Sequence, residues 1–420
     1  MILSLRVGNY LVYDAETELS LTANMKIKKF STNVFKSGNF NVVKAAAIYG
    51  ANNVGKTCLV QAAQAIKNIM LGQSAKVMPN IFAKNRICSW GITFLYESKA
   101  YKYDIKFDAQ IIANVMKGFV YESLSEVLID DYGNQKDKLI FIKDAINNIY
   151  KFPGNDKIEE LMRSIALNNI FIYTLNSSVY SEVDTIKSIF INFANSIEVL
   201  YMENLPLNKT IEILKNNNEF KDKVVELIKK ADLDISDYKY VKPTLNNIDN
   251  VDLNSRPHER ILQAPAFADD ILYLKSNHKG VEVSSLLYDS TGTKKIVSLA
   301  GYIVEAIACG KTLIIDELDS SLHFKITRAI AALFNNDLNL KGQLIFTVHD
   351  ITLLDCKKLF RKDQIWFADK DDEGAYLYSL DSYTAQDGVR AELDLVDHYR
   401  KGYLGAVPEP DLISVLLGGN

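Results

Sequence analysis

The sequence predicts an α/β fold: a core of short buried parallel strands, an antiparallel β region beside it, and a helical insert. Three observations lead there. The apolar runs Val42–Tyr49, Thr312–Ile315, Gln343–Val348 and Gln364–Ala368 are strand-length, and amphipathic segments separate the last three. Residues 90–107 and 118–129 are dense in β-branched and aromatic side chains, as an antiparallel meander is. Residues from about 135 to 232 instead repeat their apolar side chains at helical spacing.

Taken in chain order, residues 2–7 and 17–23 alternate well enough to be two strands around a turn. Val42–Tyr49 stops at a glycine, as a buried parallel strand does, and 56–71 reads as a helix with Leu59, Ala62, Ala63, Ile66 and Ile69/Met70 inward. Within the helical stretch, Ile211, Leu214, Val224, Leu227 and Ile228 recur at helical intervals, and the polar segment 236–260 reads as a connector. Strand character returns at 269–274 and 280–283, and a helix follows over 291–309. Helices at 321–334 and 350–359 separate the last three apolar strands. No internal repeat is visible. The order divides the chain into an N-terminal lobe (1–134), a helical insertion with its connector (135–260) and a C-terminal lobe (261–420).

Composition narrows the classes. With 48% apolar and 24% charged residues, the 420-residue chain can bury a sizeable core. Cys58, Cys88, Cys309 and Cys356 have no CxxC spacing and no clustered histidines, so neither a disulfide framework nor a zinc site is expected. The stretch Ile296–Ile315 is broken by Glu305 and Lys311, too polar for a membrane span, and the first residues lack the features of a leader. A cytoplasmic protein in a reducing compartment, with no membrane partner, is the expectation. Its net charge of −4 hides an uneven distribution: residues 19–96 contain ten basic residues and no acidic one. Such an excess attracts anions, whether nucleotide, nucleic acid or an acidic protein face, unless the chain's own acidic remainder neutralises it.

The strongest motif is Gly50-Ala51-Asn52-Asn53-Val54-Gly55-Lys56-Thr57, which fits the phosphate-binding pattern GxxxxGK[ST] between an apolar strand and an amphipathic helix. Its glycines let backbone N–H groups curl around phosphates at the positive end of the helix. Lys56 would reach the β- and γ-phosphates of ATP, and the Thr57 hydroxyl would hold Mg²⁺. Thr312–Ile315 ends in Asp316-Glu317, which would supply a Mg²⁺ ligand and a proton acceptor for water respectively. A further apolar strand ends at His349, the position at which the ABC class of phosphate-loop ATPases, which this order resembles, carries a histidine that contacts the γ-phosphate. Asp289-Ser290-Thr291-Gly292 opens a helix 27 residues before Asp316, where Ser290 reads equally as a helix cap.

The order of these elements resembles the ABC class of phosphate-loop ATPases, which includes transporter motors, SMC/Rad50 proteins and OLD-like ATPases. The segments KAAAIYGANNVGKT, DSTGTKK, IIDELDSSLH and QLIFTVHD resemble most the OLD-like and RloA-like AAA ATPases of bacterial phage-defence and abortive-infection loci. That resemblance implies an ABC/SMC-type head with a mixed sheet core, an antiparallel β subdomain and a helical insertion. It implies a homodimer or larger homo-oligomer in which Ser290 and Gly292 reach the ATP of the neighbouring subunit. Ser320–His323 would be the D-loop, with His323 in place of the usual aspartate. The departure from the transporter signature LSGGQ argues against a transport motor, and no Q-loop glutamine is identified. The biological role it implies is a sensor or regulator acting with a separate effector, a nuclease or toxin. Two other readings stand beside it: a RecF/Rad50-like DNA-maintenance ATPase gripping duplex with the basic 19–96 lobe, and a scaffold that uses ATP only as structural glue. Residues 135–235 are too broken for the long heptad arms of Rad50, which leaves the RecF-like form of the first.

Overall fold

The computed structural model describes all residues except 113–114, 131–133, 176–179, 217–218, 232–233, 242–267, 373, 384–393 and 408–420. The first third of the chain is β-rich. Strands β1 (Ile2–Gly8) and β2 (Thr17–Ser20) lead to a small hairpin, β3 (Val34–Ser37) with β4 (Phe40–Val43), and then to β5 (Ala45–Tyr49) and helix α1 (Lys56–Met70). The meander follows as β6 (Ile87–Tyr96), β7 (Lys99–Ile112), β8 (Val115–Ile129), β9 (Gln135–Asp144) and β10 (Ile149–Lys151). With β1 and β2 these five form an antiparallel sheet in the order β10-β9-β8-β7-β6-β1-β2.

Helices α2 (Asp156–Ser164), α3 (Phe171–Thr174) and α4 (Ser181–Asn195) precede β11 (Ile197–Tyr201), and α5 (Asn208–Lys215) and α6 (Lys221–Ala231) follow it. A three-stranded sheet comprises β12 (Ile235–Tyr240), β13 (Leu274–His278) and β14 (Val281–Ser284). The last part supplies the long helix Thr291–Cys309, β15 (Thr312–Asp316), the helix Phe324–Asn335, β16 (Gln343–Thr347), β17 (Ile365–Asp371) and β18 (Gly374–Ser379). The second large sheet has the order β11-β15-β16-β5-β17-β18, parallel except at its β18 edge. Together these give the expected fold class, a mixed sheet core with an antiparallel β part and helices.

Strand periodicity sorts the core. Ala46, Ile48, Ile314 and Ile345 join one cluster with α1 and the antiparallel sheet. Their neighbours Ala45, Ala47, Tyr49, Leu313, Ile315, Leu344 and Phe346 point into a second cluster with the helices Thr291–Cys309 and Phe324–Asn335. Helix α1 is buried through most of its circumference because it packs against strands of both sheets and against α4. Fully buried Gln343 ties the sheets together. Its Oε1 accepts the Ile2 N–H at 2.8 Å, and its Nε2 donates to the Ile2 carbonyl at 2.9 Å.

Several segments differ from expectation. Residues 135–151, expected helical, form β9 and β10; Phe141 and Lys143 are both buried, and a lysine on the inward face disguises the period-two pattern. The stretch 135–232 also contributes a strand to the parallel sheet, β11 beside β15. Residues 236–240 of the expected connector belong to β12, and 242–260 lie outside the described residues. The strand expected at 269–274 is a helical turn, Ala268–Ile271, and β13 begins only at Leu274. The helix expected at 350–359 is only a 3-10 turn at Ile351–Leu353. There Asp350 and Asp355 accept backbone N–H groups of Thr352, Lys357 and Lys358, offering the chain an alternative to helix. Among the described residues, no helix is long and apolar enough to cross a membrane, and the four cysteines are unpaired.

Candidate nucleotide site

The site forms where the central parallel strands end. β16 lies between β5 and β15, pairing Thr347 with Ile48 and Phe346 with Ile315, so the segments that follow all three strands emerge side by side. The loop 50–55 leaves β5, the Asp316-Glu317 pair closes β15, and His349 follows β16.

The loop needs its glycines. Gly50 has φ +152°, and a Cβ there would stand 2.3 Å from the Ala368 carbonyl oxygen at the neighbouring strand β17. Gly55 has φ +102°, and its Cβ would stand 2.9 Å from Val12 Cγ2 and 3.1 Å from the Tyr13 ring. Asn53 also takes a positive φ of 66°. Buried Lys56 opens α1 and folds back on its own loop, with Nζ donating to the carbonyls of Gly50 and Ala51 at 2.7 Å each. Burial lowers its pKa from the usual lysine range, while the charges of Asp316, Glu317 and Asp319 act in the opposite direction. Thr57 follows in the first turn of α1. This donor set suits a triphosphate: a backbone curl at a helix N-terminus, one lysine and one hydroxyl.

The acidic strand end is held from the next strand. The Thr347 hydroxyl donates to Asp316 Oδ1 at 2.6 Å and accepts the Glu317 N–H at 2.7 Å. Glu317 sits at φ 54°, a left-handed conformation that re-aims its side chain after the buried strand. His349 Nε2 lies 3.7 Å from Glu317 Oε1, both side chains being nearly half exposed. Asp319 Oδ2 accepts the N–H groups of His349 at 2.9 Å and Asp350 at 2.7 Å.

Ser290 caps the helix Thr291–Cys309, its Oγ accepting the Thr293 N–H at 3.1 Å, so the cap reading holds at the level of local structure. Gly292 lies against the 320–323 turn: a Cβ on it would be 3.1 Å from the Ser321 carbonyl oxygen. Lys295 from the same helix donates to the Ser320 carbonyl at 3.1 Å and lies within hydrogen-bond reach of the Ser320 and Ser321 hydroxyls. The structure therefore gathers Gly50–Thr57, Asp316, Glu317 and His349 at neighbouring strand ends. Ser290 and Gly292 stand with the 320–323 turn instead.

Thr347, Asp319 and Tyr13 were not legible as site residues. Tyr13 is fully buried, and its hydroxyl donates to the Gly55 carbonyl at 3.0 Å. Part of the basic excess of 19–96 is engaged within the chain. Lys44 donates to the Asn336 carbonyl, Lys29 to that of Cys356, and Lys67 to that of Ile197 with Glu198 nearby, while Lys56 lies in the site.

Residues 45–355 match the family model described as "AAA domain, putative AbiEii toxin, Type IV TA system". No curated protein matches the chain. Similar solved structures include an SMC head domain from Thermotoga maritima, at 10% identity and a TM-score of 0.40, covering 90% of this chain and 98% of that one. An SMC head bound to the C-terminal winged-helix domain of ScpA matches at 12% identity and a TM-score of 0.43, with 92% and 99% covered. An SMC head with an extended coiled coil, bound to the C-terminal domain of ScpA derived from Pyrococcus furiosus, matches at 11% identity and a TM-score of 0.41, with 95% and 99% covered.

Proposed function

The chain belongs to this AAA family, whose description couples an AAA domain to an AbiEii-type toxin, and from that premise we propose an ATP-hydrolysing regulator in bacterial antiviral defence. It would act in the cytoplasm as a homodimer or larger homo-oligomer, controlling a separate nuclease or toxin. Support comes chiefly from one observation: Lys56, Asp316, Glu317 and His349 converge at the ends of adjacent parallel strands, with Thr347 bonding the Asp316 carboxylate and the Glu317 N–H. In this reading the 50–55 backbone and Lys56 bind the β- and γ-phosphates. Thr57 and Asp316 hold Mg²⁺, which supplies charge neutralisation and orientation of the phosphates when bound. Glu317 takes a proton from the attacking water, and His349 contacts the γ-phosphate. Ser290 and Gly292 serve the neighbour's nucleotide, so each site is complete only in the assembly. The three-part division at 134/135 and 260/261 belongs to the same proposal.

Glu317→Gln tests it. The amide keeps size and hydrogen bonding but cannot accept the proton, so turnover should fall about 10²–10⁴-fold while ATP binding persists. Wild-type turnover in the Gln variant would contradict the role given to Glu317, whereas ATP binding with no turnover in the wild-type chain would favour a scaffold.

A further inference from the structure

We propose that Asp319 is a positioning residue for the hydrolytic site, holding the His349 backbone in register with the Glu317 carboxylate; this rests on the ATPase reading above. β16 ends at Thr347, and the last sheet-type bond is donated by the Val348 N–H to the Ile48 carbonyl at 3.1 Å. Beyond it the chain leaves the sheet, and the next two N–H groups, of His349 and Asp350, both donate to Asp319 Oδ2 at 2.9 and 2.7 Å. Two successive amides converging on one carboxylate oxygen form a short charge-assisted clamp. The other oxygen, Oδ1, is buried and has no hydrogen-bond partner among the described residues, so the carboxylate's bonds go to this clamp.

The imidazole itself is anchored by little else. Among the described residues its one ionic neighbour is Glu317, at 3.7 Å, so the backbone position of His349 sets where Nε2 lies. Asp319 is fixed from its other side as well. The Leu318 N–H donates to the Thr347 carbonyl at 3.1 Å, and the Ser320 N–H donates to the Glu317 carbonyl at 2.7 Å. Lys295 of the Thr291–Cys309 helix then holds the Ser320 carbonyl at 3.1 Å. A side chain from β16, Thr347, thus orders the turn after β15, and a side chain from that turn, Asp319, orders the segment after β16. Displacing either loop moves the other, and Asp319 carries that dependence to His349.

The test is a double-mutant cycle on ATP hydrolysis by the full chain. Asp319→Ala removes the clamp, and displacing a catalytic group should lower kcat about 10²-fold with KM for ATP little changed. Asp319→Asn keeps an acceptor oxygen for both amides and should retain most of the wild-type kcat. Because Asp319 acts through His349, the Asp319→Ala/His349→Ala protein should be no slower than the slower single variant. Should Asp319→Ala not fold, Asp319→Ser, one atom too short to span the gap, replaces it in the cycle. Losses that multiply in the double variant would overturn the proposal, as would a raised KM at unchanged kcat, or an Asn variant as slow as the Ala one. A wild-type chain that binds ATP and Mg²⁺ without hydrolysing it would instead overturn the ATPase reading and this proposal with it.

Discussion

The Thr347 hydroxyl donates to Oδ1 of Asp316 across 2.6 Å, joining the ends of two neighbouring parallel strands at the acidic heart of the site. The Thr347 hydroxyl oxygen also accepts the Glu317 N–H, so one side chain orients the proposed metal ligand and the backbone of the proposed base. Thr347→Val keeps the shape and removes both bonds. A buried carboxylate oxygen and an N–H would lose their partner, a loss of about 1–3 kcal/mol in unfolding free energy by urea titration. Turnover should fall with it, while Thr347→Ser should preserve both properties. A Val variant as stable and active as the wild type would show that the bridge contributes nothing.

Gly55→Ala tests the fit of the phosphate loop. The substitution places a Cβ at φ +102° and within 2.9 Å of Val12 Cγ2, against a turn whose Tyr13 hydroxyl already bonds the Gly55 carbonyl. Left-handed backbone alone costs an L-residue about 1–2 kcal/mol, and relief of the clash must shift the loop. ATP affinity should weaken about tenfold or more, which is about 1.4 kcal/mol, by isothermal calorimetry. Tyr13→Phe, which removes only the hydroxyl, should be milder. Equal affinity in Gly55→Ala and wild type would mean that the loop does not hold the phosphates.

The main residues of the candidate site were readable because each belongs to a local pattern: glycines and a lysine at fixed spacing after a strand, carboxylates at a strand end, a histidine after the next strand. Thr347 and Asp319 carry no such pattern. Their bonds join residues about thirty positions apart, and only the adjacency of β15 and β16 brings them together. The fold was legible for the same reason in its parallel core, where each five-residue strand carries at least three consecutive apolar residues. It failed at β9, where a buried lysine stands on the inward face, and at 350–359, where aspartates compete for the backbone.

That buried lysine leads to a pH prediction. Lys143 on β9 lies directly opposite Glu122 on β8, and both are fully buried. The Glu122 Oε1 accepts the Phe171 N–H at 2.8 Å, anchoring the short helix α3 to the sheet. Burial pushes the Glu122 carboxyl up to about 7, with Lys143 and the Phe171 N–H pulling the other way. Its folded pKa therefore lies above its unfolded value, so the folded state binds the extra proton. Stability from this group is fully present below about pH 4.5 and is lost as pH rises through about 7. Glu122→Gln, neutral throughout, should flatten that decline, most visibly as a raised melting temperature relative to wild type above pH 7. Parallel curves for the two proteins between pH 5 and 8 would refute the titration.

The most direct test of a shared hydrolytic site is subunit mixing. In the proposed assembly Ser290→Arg would block the surface facing a neighbour, and Lys56→Ala would disable a subunit's own phosphate loop, so each variant alone should be inactive. In a mixed dimer, however, one site pairs the intact phosphate loop of the Ser290→Arg subunit with the intact Ser290 of the Lys56→Ala subunit. Steady-state ATP hydrolysis measured across mixing ratios should recover part of the wild-type rate, with a maximum near equal amounts. No recovery at any ratio, in mixtures shown to contain heterodimers, would contradict the composite site.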